Sequence, residues 1–152
     1  MPLLLLKVNR LSAVFWDVDG TLADTEMDGH RPAFNMAFQE LDLPFVWDEA
    51  LYNRLLAIPG GLRRVKLHAE TCGVHLSQNQ LDQVRDRKRV HYLERVRQGH
   101  VHLRPGVKRL LQELNRAGVQ QWIVTSSGSA SVMALLEPVS YTHLRAHETV
   151  SD

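Results

Sequence analysis

The hydrophobic pattern divides the chain into short apolar runs near its ends and a long amphipathic middle. Ser12 to Trp16 is an apolar and aromatic run that stops at a carboxylate, the pattern of a buried strand whose carboxyl end opens into a loop. Residues 17–26 hold a glycine and several small polar side chains and read as that loop. From Pro32 the period changes: Phe34, Ala37, Phe38 and Leu41 share one face, so a helix of about ten residues is predicted, with Pro32 in its first turn. A second helix starts after Asp48, a suitable N-cap, carries Leu51, Leu55 and Leu56, and stops at Pro59-Gly60-Gly61. A third runs from about Leu62 toward Gly73. The fourth is the longest, because Ser77 and Gln80 make a capping-box signature and Leu81, Val84, Tyr92 and Val96 continue the face to Gly99.

Consecutive helices with no strand between them form an inserted helical unit rather than part of an alternating layer. Pro105-Gly106 then break the chain. Val107, Leu110, Leu111 and Leu114 give a helix ending at Gly118, Val119 to Val124 a strand, and Thr125 to Ser129 a loop before Val132, Leu135 and Leu136 begin another helix. Strand, helix, strand, helix is βαβ logic. The expected fold is α/β: a Rossmann-like parallel sheet core, incomplete in this chain, with an inserted four-helix cap. Its boundaries are core at 1–26, cap at 27–102 and core again at 103–138. The remainder, 139–152, contains Val139-Ser140-Tyr141-Thr142-His143-Leu144-Arg145-Ala146-His147-Glu148-Thr149, which resembles a translated transposon-end adaptor from sequencing-library preparation. It is set aside as a fusion scar.

Composition narrows the function classes. At 152 residues, with 44% hydrophobic and 23% charged side chains, the chain suits one globular domain carrying a modest insertion. A formal charge of +1, with basic and acidic residues interspersed, argues against nucleic acid as a partner. The apolar start Leu3 to Leu6 is broken at Lys7, far short of a signal-peptide core or membrane span. The single cysteine, Cys72, fits a reducing cytoplasm and reads as a small packing residue. A cytoplasmic protein without membrane or nucleic-acid partners is expected, with the oligomeric state open.

The candidate chemistry lies in Asp17-Val18-Asp19-Gly20-Thr21-Leu22, directly after the first strand. Period-two alternation starts Asp17 and Asp19 from the same side of the chain, at the carboxyl edge where open α/β sheets bind ligands. Two neighbouring carboxylates suit phosphoryl transfer when Mg²⁺ offsets their charge: one attacks phosphorus and the other handles the proton of the leaving oxygen. Gly20 permits a tight turn expected to expose backbone N–H groups as an anion-binding concavity.

This hexapeptide after an apolar strand resembles the first motif of the haloacid dehalogenase (HAD) superfamily. The resemblance implies that Asp17 forms an aspartyl-phosphate and that Asp19 protonates the leaving group and then activates water. It also implies that Mg²⁺ binds the Asp17 carboxylate and the Asp19 backbone carbonyl. Trp122-Ile123-Val124-Thr125-Ser126 resembles the second motif, by which the Thr125 hydroxyl and the Ser126 N–H hold the transferring phosphoryl group. In the insertion, Asp24-Thr25-Glu26, His30 and Pro59-Gly60-Gly61 resemble the cap of the β-phosphoglucomutase-like group. Ala23 to Glu26, His30 to Asn35 and Gly60-Gly61 are similar to the sugar-bisphosphate phosphatase branch found in Calvin–Benson–Bassham operons. By that likeness His30, Arg64 and Lys88 point toward a small phosphorylated sugar or its distal phosphate, and His30 also orients Asp19. As residues alone, His30 equally suits a helix cap, Arg64 a solvated helix charge, and Lys88 an exposed basic run from Arg85 to Arg89. His100 and His102 alternate as a metal pair does, but no third ligand accompanies them.

The function expected is Mg-dependent hydrolysis of a sugar phosphate or bisphosphate through an aspartyl-phosphate. The alternatives are a β-phosphoglucomutase-like phosphomutase and a non-catalytic binding module phosphorylated on Asp17. The resemblance also calls for a later lysine and a later acidic metal ligand, and neither can be placed after Thr125. The parent protein is therefore expected to be a phosphatase, and this polypeptide by itself to turn over little.

Overall fold

A computed structural model describes residues 11–125 and 127–137, together with the backbone of 144–148. Strand β1 spans Ala13–Trp16 and β2 spans Gln120–Thr125. They pair in parallel, with Ala13 opposite Gln120 and Trp16 opposite Ile123. Parallel neighbours require a crossover, and here it carries the whole helical insertion plus one core helix. The helices are α1 Arg31–Glu40, α2 Glu49–Leu55, α3 Gly61–Thr71, α4 Gln78–Arg97, α5 Val107–Arg116 and α6 Ser129–Leu136. The caps are those the sequence signals: Asp48 accepts from the Leu51 N–H at 2.7 Å, and Ser77 with Gln80 closes a complete capping box.

A third strand, β3 Leu144–Glu148, pairs in parallel with β2, giving the order β1-β2-β3. The tail set aside from the fold therefore supplies sheet backbone, and its exclusion is corrected. Ladder bonds are made by main chain, so an open strand edge accepts any run able to extend beside it.

The side chains bury into two apolar clusters. In the cap, Phe34, Phe38, Trp47, Tyr52, Val65, Leu81 and Val84 pack together; in the core, Val18, Leu22, Ile123, Leu111, Val132 and Leu135 do so with Tyr92 and Val96. Helix α4 belongs to both, its first half to the cap cluster and its second to the core, so one long rod ties the insertion to the sheet. The Gln121 amide, buried between layers, accepts from Trp16 Nε1 at 3.1 Å and donates to Leu111 O at 3.0 Å, joining β1, β2 and α5.

Two features depart from expectation. Residues Glu26–His30, read partly as loop, form a π-helical turn running straight into α1. A β-carbon on Gly29 would lie 2.6 Å from Tyr92 Cε2 and 3.1 Å from Val101 Cγ2, so only glycine lets α4 rest against that turn. Cys72 is exposed at the end of α3, with Sγ 3.7 Å from His68 Nε2, rather than packed inside; the helix terminates there, beyond reach of the cap cluster. Among the described residues no helix is long and apolar enough to cross a membrane.

Candidate active site

The loop after β1 folds around one carbonyl. Val18 O accepts from the N–H groups of Thr21, Leu22 and Ala23 at 3.2, 3.0 and 3.2 Å, and the Gly20 N–H donates to Ala23 O at 2.8 Å. Gly20 adopts φ 75°, a left-handed conformation that suits glycine and lets the turn close. The N–H groups of residues 20–23 are thus spent inside the loop, which corrects the expectation that this turn exposes them to an anion. Turn closure satisfies donors that burial would otherwise leave unpaired.

The same turn presents Asp17 to solvent and Asp19 toward β2. Thr21 Oγ1 donates to Asp17 Oδ2 at 3.4 Å. Asp19 is half-buried and held on both oxygens, Thr25 donating to Oδ1 and Ser127 to Oδ2, each at 2.5 Å. Ser127 in turn donates its N–H to Thr125 Oγ1 at 3.1 Å, and Thr125 is itself buried at the end of β2. The loop of the first motif and the loop of the second are therefore joined through Ser127. Ser126, the other residue expected to hold phosphate, lies outside the described residues.

His30 Nε2 faces Asp19 Oδ1 at 3.5 Å, and the ring stacks on Tyr92 with centroids 4.4 Å apart. Its side chain makes no cap bond to α1, so the helix-cap alternative falls away. Burial pushes the His30 pKa below its ordinary value against the pull of Asp19 and Glu26, and Nδ1 is buried with no hydrogen-bond partner. An uncharged ring that donates from Nε2 and leaves Nδ1 as a bare lone pair fits both facts. Burial also works to raise Asp19, but the hydrogen bond and charge of His30 and the hydroxyls of Ser127 and Thr25 outweigh it and hold the carboxyl below its usual range. The two hydroxyls act whatever the state of His30, so an ionised Asp19 beside a neutral His30 is the state at neutral pH.

Lys88 is not on an exposed basic face. Its Nζ lies 5.1 Å from the Phe34 ring centroid and 5.3 Å from that of Tyr92. Burial pushes its pKa down to about 8, opposed by the charges of Glu26 and Asp19 and aided by that of Arg64. Arg64 is committed elsewhere: Nε donates to Leu55 O at 3.0 Å, Nη1 to Tyr52 Oη at 3.2 Å and Nη2 to Ile58 O at 3.3 Å. A guanidinium buried in the cap must satisfy its donors there, which corrects both the solvated reading and a direct approach to substrate. Tyr52 Oη donates onward to Glu26 Oε2 at 2.6 Å, so Arg64 reaches the site only through Tyr52 and Glu26.

Sequence reasoning missed Thr25 and Ser127 as partners of Asp19, and Tyr92 as the platform for His30. Thr25 lay in a segment quoted for resemblance alone, and Ser127 was one of several adjacent hydroxyls that only the fold distinguishes.

The Asp17 carboxylate and the Asp19 carbonyl are hard oxygen donors of the kind Mg²⁺ accepts, the rest of its octahedron being commonly water and substrate. Among the described residues no three His, Cys, Asp or Glu side chains converge as a metal cluster, and His100 and His102 are exposed. The donors fit the ion as part of a shell.

A sequence model of a family described as haloacid dehalogenase-like hydrolase matches residues 11–150. The plasmid-encoded protein CbbY of Cupriavidus necator is 42% identical over 133 residues, covering 84% of this chain and 52% of that protein. Protein CbbY of Rhodobacter capsulatus is 36% identical over 127 residues, covering 84% of this chain and 56% of the other. Among solved structures, a variant CbbY from Rhodobacter sphaeroides in complex with xylulose-(1,5)bisphosphate superposes with a TM-score of 0.76 at 28% identity, covering 94% of this chain and 66% of that one. The chain thus spans about half the length of the curated relatives it matches.

Proposed function

The chain belongs to the haloacid dehalogenase-like hydrolase family, and on that premise we propose that it carries the phosphoryl-transfer centre of a cytoplasmic phosphatase acting on a small sugar phosphate or bisphosphate. Asp17 is the nucleophile, exposed at the end of β1 where a phosphoester can approach. Asp19 is the acid and base. One observation carries the reading: Thr25 from the incoming cap linker and Ser127 from the loop after β2 each hold one oxygen of Asp19, fixing its orientation at the sheet's carboxyl edge.

In the first step an Asp17 oxygen bonds to phosphorus as the bond to the sugar oxygen breaks, and that oxygen takes a proton from Asp19. Asp19 rests ionised, so the negative charge of an arriving phosphate must first raise its pKa and load the proton. In the second step water gives a proton to Asp19 while its oxygen bonds to phosphorus, releasing inorganic phosphate and restoring Asp17. The Asp17 carboxylate and the Asp19 carbonyl would hold Mg²⁺, which would supply charge neutralisation. Thr125 and Ser126 hold phosphoryl oxygens. Lys88 and His30 face the sugar and any second phosphate, and Arg64 acts by bracing Glu26 through Tyr52. A bisphosphate substrate is favoured by likeness to CbbY, one of whose structures holds xylulose-(1,5)bisphosphate.

The test is incubation with xylulose-1,5-bisphosphate and Mg²⁺, followed by mass spectrometry after acid quenching. A phosphoryl adduct on Asp17, absent from Asp17→Asn, is expected. This chain should release phosphate slowly, and a form extended to the length of its relatives should release it readily. An adduct that persists in Asp17→Asn overturns the reading, and, with a sugar monophosphate as substrate in place of the bisphosphate, an isomerised monophosphate without phosphate release makes the extended protein a mutase.

A further inference from the structure

The linker that leaves the cap grips the loop bearing Asp17 and Asp19. Leu103 forms an antiparallel bridge with Ala23, the Arg104 N–H donates to Leu22 O at 2.8 Å, and Arg104 Nη1 donates to Gly20 O. Those two carbonyls flank Thr21, the residue whose hydroxyl donates to Asp17 Oδ2. Arg104 itself is exposed, on the wall of a cavity of about 420 Å³ that it shares with Lys108, Pro105 and Leu135. The guanidinium therefore has room to swing away, and its hold on the loop is a reversible contact rather than one locked by packing.

We infer that Arg104 is a positioning residue, which fixes the turn at Gly20 to Leu22 and thereby the direction in which Thr21 holds the Asp17 carboxylate. Main chain and side chain of one residue grip carbonyls on both sides of Thr21, so a shift of the outgoing linker moves the turn with it for as long as both bonds are kept. Residues 98–106 join α4 to α5, and α4 ties the cap to the core. Any displacement of that linker is thus passed to the loop bearing Asp17 through Arg104. The clamp stands on the contacts alone; its consequence for chemistry rests on the role of Asp17 proposed above.

Hydrogen–deuterium exchange of the whole chain, with Arg104→Met and Arg104→Lys beside it, tests the clamp. The Thr21, Leu22 and Ala23 amides, which all donate to Val18 O, should exchange about tenfold faster in Arg104→Met. Arg104→Lys should recover most of the protection, since an ammonium also donates to a carbonyl, and α1 and α4 should not change. Equal exchange in the three proteins overturns the inference, as does acceleration spread equally over the helices. Beryllium fluoride with MgCl₂, followed by ¹⁹F NMR, then reads Asp17 as an acceptor of a phosphoryl mimic. Occupancy should fall about tenfold in Arg104→Met and return in Arg104→Lys; unchanged occupancy alongside faster exchange overturns the link from loop to nucleophile. If the unsubstituted chain takes up no fluoroberyllate, the nucleophile assignment fails, and the exchange experiment still decides the clamp.

Discussion

His30 Nε2 lies 3.5 Å from Asp19 Oδ1 while the opposite side of the same imidazole, at Nδ1, is buried without a partner. A ring so placed resists protonation. Its pKa in the folded chain lies below the ordinary 6.5, so as pH falls through that value the unfolded chain gains a proton that the folded one refuses. Stability should therefore drop between about pH 6.5 and the folded value, more steeply than in His30→Gln. Urea unfolding at pH 7.5 and 5.5 reads the difference; equal pH slopes for the two proteins would show that His30 titrates normally.

Lys88 works in the same direction at higher pH. With a folded pKa near 8 against an ordinary 10.5, the chain loses this proton earlier than the unfolded state does. Stability from this group should rise as pH climbs from about 8 to 10.5, by on the order of 3 kcal/mol. Lys88→Met should abolish the rise and be the more stable protein at pH 7. If Lys88 faces a phosphate dianion as proposed, that dianion should recharge the amine, and binding near pH 8.5 should take up a proton, measurable by calorimetry in buffers of different ionisation enthalpy.

Gly29→Ala should destabilise the chain by about 1–3 kcal/mol, because the new methyl group meets the Tyr92 ring and the Val101 side chain. Combined with Tyr92→Ala, the penalty should shrink, since the nearest obstacle is gone. Thermal melts of the four proteins of this cycle give the coupling, and a penalty unchanged by Tyr92→Ala would place the strain elsewhere.

Arg64→Ala should cost about 2–4 kcal/mol in chemical denaturation, because it leaves a void in the cap interior, strips the Ile58 carbonyl of its guanidinium donor, and takes one bond each from the Leu55 carbonyl and the Tyr52 hydroxyl, which keep their bonds to the Ile58 N–H and Glu26. A residue that contacts substrate instead would weaken ligand binding while leaving the denaturation midpoint nearly unmoved.

The local readings that held were those in which one segment contains its own physics. Asp48 and Ser77 cap their helices because a side-chain oxygen needs only an N–H two or three positions on. Asp17 and Asp19 follow directly on a strand because an apolar run and the glycine that turns the chain after it are local facts. The fate of the Gly20 turn was less legible: its N–H groups turned inward, to Val18 O and Ala23 O.

The sequence by itself determined the α/β order, the helical insertion and the two carboxylates, because periodicity, caps and turns act over a few residues. Only the tertiary structure decided which side chains meet. Ser127 reaches Asp19 across 108 positions because β1 and β2 lie side by side, and Arg104 reaches Gly20 across 84 because both cap linkers return to one edge of the sheet. Burial chose between readings of equal sequence merit, setting Arg64 into the cap and drawing Lys88 toward Asp19 and Glu26. Contacts between distant segments depend on how whole elements pack, and no short window of sequence contains that information.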